Sequence, residues 1–206
     1  MIWKVVDKTL DSIWPMLTIF IVVIVASRIA YLSQHRERIH YYQEFLKLFF
    51  IVYILILYGL LTNTEINNNG GMNLVPFTEI FRYEVGSELF IFNVLGNILI
   101  FVPFGYFISH FINAKKIWPI LFVSLITSTT VEFVQLQIGR SFDIDDIILN
   151  TIGAIFGYLL YVGLTAIKRH LPGFLQKDFI YNLICFIIIA AIVFVILNRF
   201  GLGFGL

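Results

Sequence analysis

The chain has 206 residues, 59% hydrophobic and 13% charged, with a net charge of +1 and a mean hydropathy of +0.90. Soluble domains carry about 25% charge and about 45–50% apolar residues, so a water-soluble globule is excluded. A charge this close to zero also excludes the basic surface that nucleic-acid binding needs, and no nucleic-acid partner is expected.

Apolar runs near the ~20 residues that cross a bilayer recur along the chain. In order they are Ile13–Leu32, Phe45–Leu61, Leu89–Phe111, Ile117–Leu136, Ile147–Ile167 and Phe179–Leu197. Each is apolar all round, the mark of a membrane helix. The N-terminus lacks a basic stretch followed by a small-residue cleavage site, so the first span is expected to be retained. Cys185 is alone and lies in the last run, which rules out an internal disulfide. The expected fold is an all-α integral membrane protein: one domain over residues 1–206, a bundle of about six transmembrane helices with a structured outer loop.

Counting Lys and Arg between spans gives the orientation. The first, third and fifth connections carry nine, among them Arg28, Arg36, Arg38 and Lys47; the other side carries five, Lys4, Lys8, Arg82, Arg140 and Arg199. The excess predicts both termini outside the cytoplasm. The loop Thr62–Glu88 and the connection Gln137–Asp146 then share the outer face. The former is about 27 residues long, more than a simple helix connection needs, and carries Glu65, Glu79, Glu84 and Glu88 against Arg82 alone.

Polar groups at membrane depth cost about 2.5–3.5 kcal/mol on insertion scales, so each calls for a reason. Asn93 and Asn97 stand four residues apart on one helical face, with Pro103 and Gly105 loosening the same helix. An interhelical hydrogen-bonding pair is the bland account. Glu132 and Gln135 share a face at the end of the fourth span. Glu132 is either a structural carboxylate paired with Arg140 or a general acid/base or cation ligand. In Arg140-Ser141-Phe142-Asp143-Ile144-Asp145-Asp146, three carboxylates open the fifth span. Asp143 fits as an N-cap with Asp146 reaching back as in a capping box. Repulsion among three acids and Glu132 instead favours a proton or a bound cation, and oxygen ligands suit Mg²⁺ or Ca²⁺. Arg140 is a rigid fork of donors for a lipid phosphate or a carboxylate. Asp143, Asp146 and Asn150 share a helical face, and Gly153-x-x-x-Gly157 permits close helix packing. The four histidines lack zinc-ligand spacing, and no Walker, dinucleotide, GxSxG or HExxH pattern occurs.

Three segments together resemble the VanZ-like membrane family: Asn73-Leu74-Val75-Pro76-Phe77, the run Asn93-x-x-x-Asn97-x-x-x-Phe101-x-Pro103-x-Gly105, and Glu132-x-x-Gln135 followed by Arg140, Asp143, Asp146, Asn150 and Gly153. They cover roughly residues 50–165, leaving 13–32 and 179–197 as flanking helices. The resemblance implies a bacterial cytoplasmic-membrane protein associated with resistance to the glycopeptide teicoplanin.

The residues themselves leave three functions open. The first is an enzyme acting on a lipid or lipid-linked envelope substrate at the outer face. Glu132 and Asp146 would then be catalytic, and Arg140, Gln135, Asn97, Asn93, Asn73 and Asn150 would bind substrate. Asp143 and Asp146 would hold a divalent cation such as Mg²⁺. The second is a non-catalytic module that binds or shields a lipid-linked wall precursor, a glycopeptide or a partner protein. The third, a small transporter or flippase, lacks an inverted-repeat signal.

Overall fold

In lipid every backbone N–H and C=O must find a partner within its own segment, so apolar runs of this length fold as helices. The computed structural model describes residues 2–35, 41–62, 71–177, 179–184 and 186–187, with side chains from Asp7 onward. Among these residues, five helices are long and apolar enough to cross a membrane. This is an all-α, multi-pass membrane architecture. Most of the sixth expected span, Phe179–Leu197, lies outside the described residues, as do Glu65 and Cys185.

Helices α1 (Ile2–His35) and α2 (Tyr41–Thr62) supply the first two spans. The third, Glu88–Phe111, is made of a short α3 (Glu88–Phe90), a π turn at Ile91–Leu95 and α4 (Gly96–Phe111). Helices α5 (Trp118–Gln137) and α6 (Ile144–His170) complete the set. The side chain of Ser87 caps α3 by accepting the Phe90 N–H at 3.1 Å. At the far end of α5, Gly139 adopts φ 87°, a left-handed conformation natural to glycine, and the Arg140 N–H turns back to Gln135 O at 2.9 Å.

The helices divide into two compact units: Met1–Pro15 with Ile54–Ala166, and Met16–Tyr53 with Ile167–Leu206. In the first, Phe101, Phe104, Phe107, Ile120, Leu149 and Ala154 are buried. Lipid chains are as apolar as these side chains, so close packing holds the helices together, and small residues make it possible. A Cβ on Gly105 would collide with the Ala154 backbone, and one on Gly153 or Gly157 with the backbone of α4. The small-residue pattern on α6 thus lets two helix backbones touch. Buried Ser128 accepts the side-chain N–H of buried Asn150 at 2.9 Å, tying α5 to α6.

In the second unit the notable contact is ionic. Arg28 grips Glu44 through two hydrogen bonds of 2.7 and 2.9 Å, and Lys47 reaches the same carboxylate at 3.0 Å. Asn182 Oδ1 accepts the Tyr42 N–H at 3.0 Å, filling one of the donor positions left open at the start of α2.

Candidate functional site

The polar residues of the first unit gather where α2 and α5 end and where α3 and α6 begin. Two short strands fix the loops there. Met72–Asn73 (β1) pairs in parallel with Phe142–Asp143 (β2), setting Asn73 opposite Asp143. Asn73 Nδ2 donates to Asp143 Oδ1 at 3.0 Å, and the same oxygen accepts the Asp145 N–H at 2.8 Å. Asp143 is therefore the N-cap of α6, as its sequence position suggests.

The expected capping box closes differently. Glu132, reaching across from α5, accepts the Asp143 N–H through Oε2 at 2.8 Å. It takes the place that Asp146 would hold in a local box, and Asp146 turns instead to Asn97, whose Nδ2 donates to its Oδ1. Glu132 makes no ion pair with Arg140 among the described residues. Arg140 Nη1 donates to the Leu61 carbonyl at 3.1 Å, and Gln135 Nε2 to the same carbonyl at 3.2 Å. That carbonyl belongs to the last turn of α2, where helical acceptors go unused.

Asp145 carries the largest structural share. It is 1% exposed. Its Oδ1 accepts the Phe77 N–H at 2.5 Å, and its Oδ2 those of Glu79 and Ile80 at 2.7 and 3.2 Å. Phe77 sits at φ 69°, a region costly for a non-glycine residue, and Asp145 holds it there. The Pro76-Phe77 segment is thus a loop wrapped around one carboxylate.

Two cavities open on this assembly. One, of about 400 Å³, has apolar walls from Leu60, Leu61, Ile91, Phe92, Leu99 and Ile100 and a polar end made by Asn93, Asn97, Glu132, Gln135, Arg140, Asp146 and Asn150. The other, of about 510 Å³, is polar and is lined by Asn73, Glu79, Arg82, Tyr83, Asp143 and Asp145 among others. Phe92, Asn93, Arg140 and Asp146 line both. Burial, reinforced by the charge of Glu79, raises the Tyr83 phenol above its usual value. Burial also raises Asp143, against the opposing effect of the Asp145 N–H.

Of the residues expected to form a site, seven therefore meet around the apolar cavity, while Asn73 and Asp143 belong to the polar one. Among the described residues Asn93 makes no bond across helices: the π turn contains it, and its Nδ2 donates to Leu89 O at 2.9 Å within its own helix. Among the described residues no three His, Cys, Asp or Glu side chains are arranged to hold a metal ion. Asp143 accepts two hydrogen bonds and Asp146 one, all through Oδ1. Three features escape a reading of the sequence: the knot at Asp145, the Leu61 carbonyl as a shared acceptor, and the π turn. The only available cue for the first was the run of loop N–H groups after Pro76, which need an acceptor from somewhere.

No solved structure matches the chain. Protein VanZ of Enterococcus faecium is 34% identical over 94 residues, 44% of this chain and 52% of that protein, so the match spans about half the length of this curated relative. A family model, VanZ/LLP1, matches residues 45–169. That stretch holds the strand pair, the Asp145 knot and every residue lining the two cavities, and the chain belongs to the VanZ/LLP1 family.

Proposed function

We propose that the joined cavities bind the headgroup end of a lipid or lipid-linked cell-envelope molecule, at the outer face of the bacterial cytoplasmic membrane, and that the protein acts on it there. The observation that carries this reading is the amphipathic form of the first cavity. Six apolar residues lead to a polar end where Arg140 and Asp146 open onto a second, water-compatible cavity. Ligand sites commonly pair an apolar lining with a few convergent polar groups. The neighbouring loop adds support: Phe81 is 80% and Val85 82% exposed, as suits a segment lying against lipid. Reduced sensitivity to glycopeptides such as teicoplanin would follow from a change in the envelope molecules these antibiotics meet.

Glu132 is the candidate acid/base. Oε2 is committed to the Asp143 N–H, and Oε1 makes no hydrogen bond among the described residues. Glu132→Gln keeps an acceptor for the Asp143 N–H and removes the titratable carboxyl group. The test compares total lipid extracts, by mass spectrometry, from cells lacking the gene, expressing wild type or expressing Glu132→Gln at matched levels. A lipid species that changes with wild type and not with the variant supports an enzyme and names its substrate.

A second reading, binding without turnover, is favoured by the number of carboxylate oxygens engaged in holding loops: both of Asp145, one of Asp143 and one of Glu132. It predicts an unchanged lipid profile and only partial loss of resistance in Glu132→Gln.

A further inference from the structure

The polar end of the apolar cavity has a surplus of acceptors. Asn93 and Asn97 have spent side-chain N–H groups on Leu89 O and Asp146. Gln135 has spent its own on Leu61 O. A carbonyl can only accept, so this contact fixes the Gln135 amide with Oε1 turned away from it. Gln135 and Asn150 are 2% and 1% exposed, and neither amide oxygen has a hydrogen-bond partner among the described residues. Both residues line the cavity. Buried amide oxygens left in that state cost roughly 1–3 kcal/mol each, so a donor is called for.

Charge narrows the donor. The polar cavity is lined by four carboxylates, Glu79, Asp143, Asp145 and Asp146, against two guanidiniums, Arg82 and Arg140. Arg82 is already paired with Glu79 at 3.0 Å. An anionic or polyphosphorylated head would meet net repulsion there, and a neutral polyol would leave the negative charge uncompensated. Arg140 is the exception: it lies where the two cavities join and uses only Nη1 in a hydrogen bond among the described residues. Its remaining N–H groups suit a single phosphate.

We propose, resting on the amphiphile reading above, that the ligand is a zwitterionic phospholipid with a primary ammonium. Its chains lie along the apolar walls and its phosphate meets Arg140. The ammonium N–H groups reach Asp146 and Glu132, beside the unpartnered amide oxygens of Gln135 and Asn150.

The test offers delipidated wild-type protein three phospholipids of identical chains and reads retained lipid by native mass spectrometry. Phosphatidylethanolamine has the charge and the donors, phosphatidylcholine the charge without N–H donors, and phosphatidylglycerol donors without the cation. The ethanolamine lipid should be held about tenfold or more tighter than the choline lipid, with the glycerol lipid below it. Asp146→Asn, which keeps an acceptor for Asn97, should shrink that preference toward unity. Equal retention of ethanolamine and choline lipids, or preference for the glycerol lipid, overturns the ammonium and leaves the amphiphile reading standing. If no lipid is retained, or if retention of all three is unchanged by Leu99→Trp in the apolar wall, the amphiphile reading falls and takes this inference with it.

Discussion

The two units of this protein treat a carboxylate in opposite ways. In one, Glu44 is held by Arg28 and Lys47, and side-chain charge answers charge in an accessible setting. In the other, Asp145 is buried and engages no cationic side chain in a hydrogen bond or ion pair among the described residues; three backbone N–H groups surround it instead. A part-exposed ion pair adds little to stability, on the order of 1 kcal/mol. Backbone dipoles satisfy a buried acid without cancelling its charge, so the second arrangement leaves net negative charge beside the cavities. The acids of this unit differ in degree: both oxygens of Asp145 are spent on loop N–H groups, whereas Asp143, Glu132 and Asp146 each engage one oxygen and line the cavities.

Breaking the buried arrangement should have the largest effect. Asp145→Ala strands the N–H groups of Phe77, Glu79 and Ile80 and should cost at least about 3 kcal/mol, read as a fall in thermal stability in detergent. Hydrogen exchange should show protection lost first over residues 76–80. Next comes the packing that brings the acids together. Gly105→Leu drives a side chain into the Ala154 backbone and should cost about 2–3 kcal/mol in the same assay. On the other side of the comparison, Glu44→Gln should cost less than about 1 kcal/mol. A loss as large as that of Asp145→Ala would abolish the distinction.

The smallest effect is a pH dependence. Asp143 has its folded value raised above the usual 3.8, chiefly by burial. The folded protein therefore holds this proton more tightly than the unfolded chain does. The stability so gained is full below 3.8 and is lost as pH rises through the folded value. Asp143→Asn keeps an acceptor for Asn73 and the Asp145 N–H but does not titrate. The melting temperature of wild type minus that of the variant should fall as pH rises from about 4; a flat or rising difference contradicts the assignment.

The helices were legible from hydropathy alone. Leu89–Phe111 and Ile117–Leu136 were expected, against Glu88–Phe111 and Trp118–Gln137 in the structure. Helices α2 and α6 run a few residues beyond their apolar cores, because Tyr41 and Lys168–His170 are polar yet helical, and α1 begins at Ile2, eleven residues before the expected Ile13. The grouping of the candidate residues was legible: the cost of polar groups at membrane depth marked Asn97, Glu132, Gln135, Asp146 and Asn150, and these line one cavity. Their partners were not legible. Pairing with Arg140 was one of two readings of Glu132, the other an acid/base or cation ligand, and the carboxylate caps the neighbouring helix through the Asp143 N–H. Asp145 looked like one of three equivalent acids, because its role depends on loop N–H groups some 65 residues earlier in the chain. The parallel two-residue ladder and the π turn around Asn93 likewise arise from tertiary contact, which no local pattern records.

The most direct test of the central claim is to map where an amphiphile sits. A phospholipid with a photoreactive group next to its phosphate would be incorporated with wild-type protein in nanodiscs, crosslinked and located by peptide mass spectrometry. Adducts should concentrate at residues 91–100 and 140–150 and be reduced by Leu99→Trp. Adducts spread evenly over the lipid-facing surfaces of the helices, and indifferent to that substitution, would contradict it.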